Sequence, residues 1–143
     1  MGTVLEVRDI IRNYSKKGDG ARPSEDDIKV IRGLSLKVEK KDFLGIMGKS
    51  GCGKSTLLRV LGLLDRPTEG KVFFEDFDTE ELWKDELADI RRRKIGFVFQ
   101  DYYLMDSLTV RENMILPMIL DKADSKEMQR RAEKHAAQFE LTH

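Results

Sequence analysis

The chain has 143 residues, 40% hydrophobic and 36% charged, which suits one compact domain with a solvated surface. Its 26 basic and 26 acidic residues balance, so the composition does not favour a nucleic-acid-binding protein, which usually carries a basic face. The single cysteine excludes an internal disulfide, and the longest apolar run, 114–120, is far shorter than the ~20 residues of a membrane span. We therefore expect any membrane role to come through a partner.

The first elements are predicted from alternating apolar and polar residues, a pattern typical of half-buried strands. It predicts strands over 4–8 and 28–38, joined by a polar loop at 13–27, and hence an N-terminal antiparallel β hairpin region. The short apolar run 43–47 ends at a glycine and predicts a buried parallel strand.

Helices and strands then alternate along the chain. Leucines at three- and four-residue spacing predict a helix over 55–64, followed by a turn and a strand at 71–74. A second amphipathic helix is predicted over 79–93, with Trp83 on its apolar face. The basic run 91–94 suits the negative pole of this helix better than it suits a phosphate-binding patch.

The apolar run 95–99 predicts another buried parallel strand, and the rest of the chain is predicted to be helical. One helix is expected to start at 109–113, and another to cover 124–141 with Asp124 and Glu127 as its capping pair. Because strands and helices alternate, the sequence predicts an α/β architecture with a parallel sheet.

One motif carries chemistry. Residues 48–55 read Gly-Lys-Ser-Gly-Cys-Gly-Lys-Ser and match the P-loop pattern G-x-x-x-x-G-K-[ST]. In such a loop the glycines let the backbone curl, so that successive N–H groups and the positive start of the next helix face the same phosphate oxygens. The alternative, a flexible glycine-rich turn, is disfavoured by the apolar run before the motif and the helical pattern after it.

Each residue of the loop has an expected role. Lys54 is expected to reach the β- and γ-phosphates, Ser55 to place a hydroxyl on Mg²⁺, and Thr56 to donate near the α-phosphate. Cys52 is expected to be an inert small residue, because a nucleophile would need a nearby base. The predicted cofactor-binding residues in this loop are Gly48, Ser50, Gly51, Cys52, Gly53, Lys54, Ser55 and Thr56.

Four features together resemble the ATP-binding subunits of ABC transporters. They are the loop 48–56, the run 95–100 that is similar to the family's Q-loop strand, the segment 101–113 after it, and Tyr14 before the first loop. The resemblance is closest to the branch that serves lipoprotein release, macrolide efflux and bacitracin-type peptide resistance. The run Phe-Gln-Asp-Tyr at 99–102 leans toward the peptide-antibiotic members.

The resemblance implies roles for two residues outside the loop. Tyr14 would stack on adenine; the alternative is an aromatic side chain that only packs on the core. Gln100 would contact Mg²⁺ or the attacking water, and would be catalytic together with Lys54. It would also couple the site to a membrane permease that docks near 100–113; the alternative is a polar residue that merely ends a strand.

The resemblance also implies the organisation of the whole assembly. Residues 1–100 would form the β region and an incomplete P-loop NTPase core, and 101–143 the exit from the Q-loop and part of a helical subdomain. The cofactors would be ATP and Mg²⁺. The partners would be a permease and a second ATP-binding subunit in a head-to-tail dimer, with no nucleic acid, at the cytoplasmic face of the cell membrane.

Several family motifs find no match in the sequence. Stretches 61–65 and 114–121 have the letters of a Walker B strand but fall on predicted helix, and neither the signature sequence nor the switch histidine is found. The chain is therefore expected to be the N-terminal part of an ATPase, to bind nucleotide without efficient turnover, and to self-associate through the uncovered strand 43–47.

Two alternatives remain open. The chain could be a non-catalytic nucleotide-binding module, or, less favoured, a different P-loop NTPase or kinase. A GTPase would need Asn-Lys-x-Asp, which the sequence does not contain.

Overall fold

The computed structural model describes residues 2–15 and 27–141. They fall into two compact units, Met1–Ile95 and Gly96–His143. The predicted loop at 13–27 lies mainly on 16–26, outside the described residues, and its first residues belong to a strand.

The first unit is built on a four-stranded antiparallel sheet with strand order β2-β1-β3-β4. Its strands are β1 (Thr3–Tyr14), β2 (Ile28–Glu39), β3 (Glu69–Phe74) and β4 (Phe77–Asp78). The strands predicted at 28–38 and 71–74 are confirmed, and the strand predicted at 4–8 continues to Tyr14.

A bulge at Asp9 lets β1 continue this far. Asp9 has a positive φ of 48°, and the pairing of β1 with both neighbours shifts register near it. Ser35 on β2 fixes the bulge: its Oγ accepts the Asp9 N–H at 2.8 Å and donates to Asp9 Oδ1 at 3.0 Å. The extra residue of a bulge strengthens the local twist, so the strand bends instead of ending.

Helix α1 (Lys54–Leu61) packs on this sheet. The core consists of Val7, Ile10, Ile31, Leu57, Val60, Leu61, Leu63, Val72, Phe74 and Leu87. The helix is shorter than the predicted 55–64, because the chain leaves helical geometry at Leu63, where φ is 58°. Val60 is buried, while Leu58 and Leu64 of the predicted leucine stripe are exposed.

Helix α2 (Lys84–Lys94) begins five residues later than the helix predicted over 79–93, and the exposed Trp83 is its N-cap residue. Its basic last turn is held in structural contacts. Arg91 donates to the Leu63 carbonyl at 3.1 Å, and Lys94 pairs with Glu75 at 3.3 Å. Because these side chains are engaged in contacts within the first unit, the basic run is better explained by its position at the negative pole of α2 than by a phosphate-binding patch.

The described residues do not form the predicted parallel strands, so this prediction is wrong for them. Neither 43–47 nor 95–99 pairs with a strand there, and every pairing in the sheet is antiparallel. Phe43 is fully exposed, and Met47 and Val98 are 94% and 99% exposed. A strand needs a neighbour for its N–H and C=O groups, and the part of the chain that is described provides none at these positions.

The second unit contains α3 (Val110–Leu120) and α4 (Ser125–Gln138), both near their predicted positions. Thr109 caps α3 together with Glu112. Asp124 caps α4 as predicted, by accepting N–H groups of the first turn. Its predicted capping partner, Glu127, instead binds Arg130 and Arg131, and these bonds lower the Glu127 pKa to about 2.

Among the described residues, no helix combines the length and the apolar character that crossing a membrane requires.

Candidate functional site

The glycine-rich loop lies directly against strand β2. Gly53 is the N-cap residue of α1 and adopts left-handed geometry, with φ 96° and ψ 10°. A Cβ atom at this position would lie 2.7 Å from Val30 Cγ1 and 3.3 Å from the Val30 carbonyl oxygen. Both the conformation and the close approach therefore require glycine at the turn from loop to helix.

Lys54 folds back over the loop. Its Nζ donates to the main-chain oxygens of Gly48 at 2.9 Å and Lys49 at 2.8 Å. The Cys52 N–H donates to the Lys49 oxygen at 3.3 Å and closes the turn. The loop is thus curled around a primary ammonium group, and its role as a phosphate cradle stays a prediction.

The start of α1 differs from the starts of the helices in the second unit. No side chain of the described residues caps its first N–H groups, and its first turn contains no acidic residue. Helices α3 and α4, by contrast, are capped by Thr109 and Asp124. Because uncapped N–H groups carry the positive end of the helix dipole, this end of α1 favours an anion.

The hydroxyl residues of the motif open α1. Ser55 is exposed and Thr56 is half-buried in its first turn. An exposed hydroxyl beside a polyphosphate can serve as one oxygen ligand of Mg²⁺, a cation that keeps several waters and is usually held by few protein groups plus phosphate. The loop residues therefore fit a magnesium-bound nucleoside triphosphate.

Tyr14 stands at the end of β1 in a network of side chains. Its hydroxyl donates to Asp65 Oδ2 at 3.1 Å, and the Arg12 guanidinium carbon lies 4.5 Å from the centre of its ring. Asp65 is held in turn by Nε and Nη2 of Arg59, both at 2.9 Å. The hydrogen bonds from Arg59 lower the pKa of Asp65. Partial burial acts in the opposite sense but is the smaller effect, so the pKa of Asp65 lies below its usual range.

Sequence reasoning missed Arg12, Arg59 and Asp65. Asp65 entered it only as the last letter of a rejected Walker B candidate, and the structure places it beyond the end of α1. Tyr14 and Asp65 are 51 positions apart, so no local pattern could connect them.

The nucleotide-binding, catalytic and metal-binding roles of all the predicted site residues stay predictions. Gln100 is exposed and belongs to the second unit, whereas Lys54 and Tyr14 belong to the first. Cys52 is exposed in the loop. Within the described residues, no cluster of histidine, cysteine or carboxylate side chains could hold a metal by itself.

Comparison with known proteins identifies the family of this site. The family model for ABC transporters matches residues 31–143. The ABC transporter ATP-binding protein YvcR of Bacillus subtilis, itself uncharacterised, is 44% identical over 98% of this chain and 52% of its own length. The lipoprotein-releasing system ATP-binding protein LolD of Aquifex aeolicus is 50% identical over 73% of this chain and 46% of its own length.

A macrolide export ATP-binding/permease protein, MacB of Syntrophobacter fumaroxidans, is 44% identical over 80% of this chain and 15% of its own length. These names agree with the predicted lipoprotein-release and macrolide branch, while the leaning toward peptide-antibiotic members stays a prediction. The chain spans about half the length of YvcR and LolD.

The solved structures agree with the predicted fold class. The ATP-binding cassette MJ0796, in a dimeric post-hydrolysis state with ADP and Pi, superposes with a TM-score of 0.78 and 37% identity. The match covers 91% of this chain and 54% of the cassette. By sequence and by fold, the chain belongs to the ATP-binding family of ABC transporters.

Proposed function

We propose that the chain binds ATP with Mg²⁺ through residues 48–56, as part of an ATPase that drives export through a membrane permease. The observation that carries this proposal is the Lys54 ammonium, which is bonded to two loop carbonyls at the uncapped start of α1. Such a site offers a point charge and several aligned N–H donors, which is what a triphosphate chain requires.

In the proposed mechanism the loop binds and neutralises the phosphates. An ammonium group has three donors, so Lys54 can exchange its bonds to the Gly48 and Lys49 oxygens for bonds to the β- and γ-phosphates. Ser55 would hold Mg²⁺, which offsets the charge that develops on the γ-phosphate during its transfer. Tyr14 would stack on the adenine ring, and Gln100 would orient the attacking water.

We propose further that residues 1–143 bind nucleotide without efficient turnover, while the full-length parent hydrolyses it. Phosphoryl transfer needs an acidic ligand for Mg²⁺ and a group that orients water in addition to a phosphate cradle. Gln100 is the candidate for the second, and no residue of the sequence matches the family's acidic ligand. A non-catalytic binding module is the second candidate function, and it shares the same loop chemistry.

The proposed partners are a permease and a second ATP-binding subunit. The segment 100–113 is the proposed permease contact, because it begins beside exposed aromatic side chains. Phe99 stacks on Phe97 with ring centres 5.1 Å apart and meets Tyr103 edge-on at 4.8 Å. The dimeric cassette MJ0796 supports a second subunit, and a permease would place the chain at the cytoplasmic face of the membrane.

Replacing Lys54 with alanine tests the binding proposal. We expect the affinity for Mg-ATP, measured by isothermal titration, to fall about 10- to 100-fold, since charge-assisted hydrogen bonds to the phosphates are lost. Lys134→Ala, on the exposed side of α4, removes the same charge and should bind like the parent chain. Equal affinities of the Lys54→Ala variant and the parent would contradict the proposal.

The exposed segment 43–47 leads to a prediction of self-association. Phe43 is fully exposed and Met47 is 94% exposed, so two copies can bury apolar area by pairing these segments. We expect light scattering to give a mass above that of the monomer, and a Phe43→Ser, Met47→Ser double variant to lower it. Phe77→Ser, an exposed residue of β4, is the control. A monodisperse monomer at high concentration would contradict this prediction.

A further inference from the structure

The hydroxyl group of Tyr14 links the ring that we propose stacks on adenine to Asp65, which lies 51 positions further along the chain. A tyrosine side chain at the end of a strand can turn about its χ1 and χ2 torsions. Here the hydroxyl donates to Asp65 Oδ2 at 3.1 Å, so one end of the ring is held. The ring is also half-buried, which limits the remaining rotation.

Asp65 is itself fixed. Its two carboxylate oxygens accept Nε–H and Nη2–H of Arg59, and its own N–H donates to the Arg59 carbonyl at 3.2 Å. Only 13% of its side chain is exposed. A two-pronged bond between arginine and carboxylate sets orientation as well as distance, so the acceptor presented to Tyr14 has one defined position.

The anchor belongs to the helix that starts at the phosphate loop. Arg59 follows Lys54 on α1 by five positions, a rise of about 7.5 Å along the helix. The loop and the support of the ring are therefore carried by one rigid element. A shift of α1 would move the phosphate donors and the acceptor for Tyr14 together.

Arg12 lies over one face of the ring, with its guanidinium carbon 4.5 Å from the ring centre. A cation in this position is attracted by the ring and occupies the face it covers. A nucleobase would then stack on the opposite face.

We infer that Asp65 is a positioning residue: anchored by Arg59, it holds the Tyr14 ring at a fixed place relative to the phosphate loop, so that one face receives the nucleobase. This inference rests on the proposed nucleotide binding. It gives Asp65 a role in the affinity for the base and none in the affinity for the phosphates.

The test compares Mg-ATP with Mg-tripolyphosphate, a probe that has the phosphates and no base, by titration of the 143-residue chain. We expect Asp65→Ala to lower the affinity for ATP about three- to tenfold, the range of one aromatic stacking contact, and to leave that for tripolyphosphate unchanged. In a Tyr14→Ala background, Asp65→Ala should have no further effect, because a residue that acts through the ring cannot act without it.

Two more variants complete the experiment. Asp78→Ala removes the ion pair with Lys71, at 2.6 Å in the same sheet, without touching Tyr14, and should leave both affinities unchanged. Tyr14→Phe keeps the ring and the Asp65–Arg59 pair but removes the hydroxyl. It should weaken the binding of ATP and leave the binding of tripolyphosphate unchanged. If circular dichroism shows that Asp65→Ala does not fold, Tyr14→Phe provides the test in its place.

The possible results separate the inference from the proposed function. The positioning role would be overturned if Asp65→Ala lowered the affinity for both ligands equally, if its effect on ATP affinity added to that of Tyr14→Ala, or if it changed neither affinity. If the parent chain bound tripolyphosphate as tightly as ATP, the ring would have no role and the loop proposal would stand. If the parent chain bound neither ligand, the proposed function would fall, and the inference with it.

Discussion

Replacing Gly70 with alanine is expected to destabilise the first unit by about 3 kcal/mol or more, the scale of a severe steric mutation. Gly70 has φ 84°, and a Cβ atom there would lie 2.6 Å from the Arg8 carbonyl oxygen and closer still to the Asp9 oxygen. All of these are main-chain atoms of β1, at the bulge where its register with β3 shifts. They cannot turn aside like a side chain, so the strands must separate.

Gly33→Ala is the matched control. Gly33 also lies in a strand and has nearly the same φ, 82°, but an added Cβ atom would meet nothing within 4 Å. Its cost should be only that of left-handed geometry, about 1–2 kcal/mol. Urea unfolding followed by far-ultraviolet circular dichroism measures both. Equal losses would show that conformation, and not contact with β1, determines the need for glycine at position 70.

The features predicted correctly are those whose cause is local in the chain. The alternation in 28–38 gives β2, a helix starts within 109–113 as predicted, and Asp124 caps the helix it precedes. The P-loop motif likewise combines its own glycines with the helix that follows, so a helix starting at the end of the loop could be anticipated, while the roles of the loop residues in nucleotide binding stay predictions. In each case the pattern that identifies the feature lies within a few residues of it, even where, as in β2, the hydrogen-bond partners are distant.

The errors concern features that depend on distant groups. The apolar runs 43–47 and 95–99 predicted buried strands, but burial depends on which element covers a segment, and a run of letters does not contain that information. The same holds for Leu58, which has helical spacing and yet faces solvent. The network around Tyr14 was missed for the related reason that its acceptor lies on a turn far along the chain.

Gly53→Ala is expected to lower the affinity for Mg-ATP at least about 100-fold, because several phosphate donors would be displaced together. The alanine Cβ would lie 2.7 Å from Val30 Cγ1 at φ 96°. A turn of the Val30 side chain would leave the 3.3 Å approach to the Val30 carbonyl oxygen and the left-handed φ, so we expect the N-cap to move, and with it the first N–H groups of α1 and the bond from the Leu57 N–H to the Gly53 oxygen. Titration of the variant with Mg-ATP measures the loss.

Two variants show which property of Gly53 matters. Gly51→Ala, at φ 75° with nothing within 4 Å of an added Cβ, tests left-handed geometry alone and should cost far less affinity. Adding Val30→Ala to Gly53→Ala removes the nearest atom and should restore part of the binding. If the double variant bound no better than Gly53→Ala, the contact with β2 would not be what positions the loop. The strain of the left-handed turn would then account for the loss, and Gly51→Ala would have to weaken binding to a similar degree.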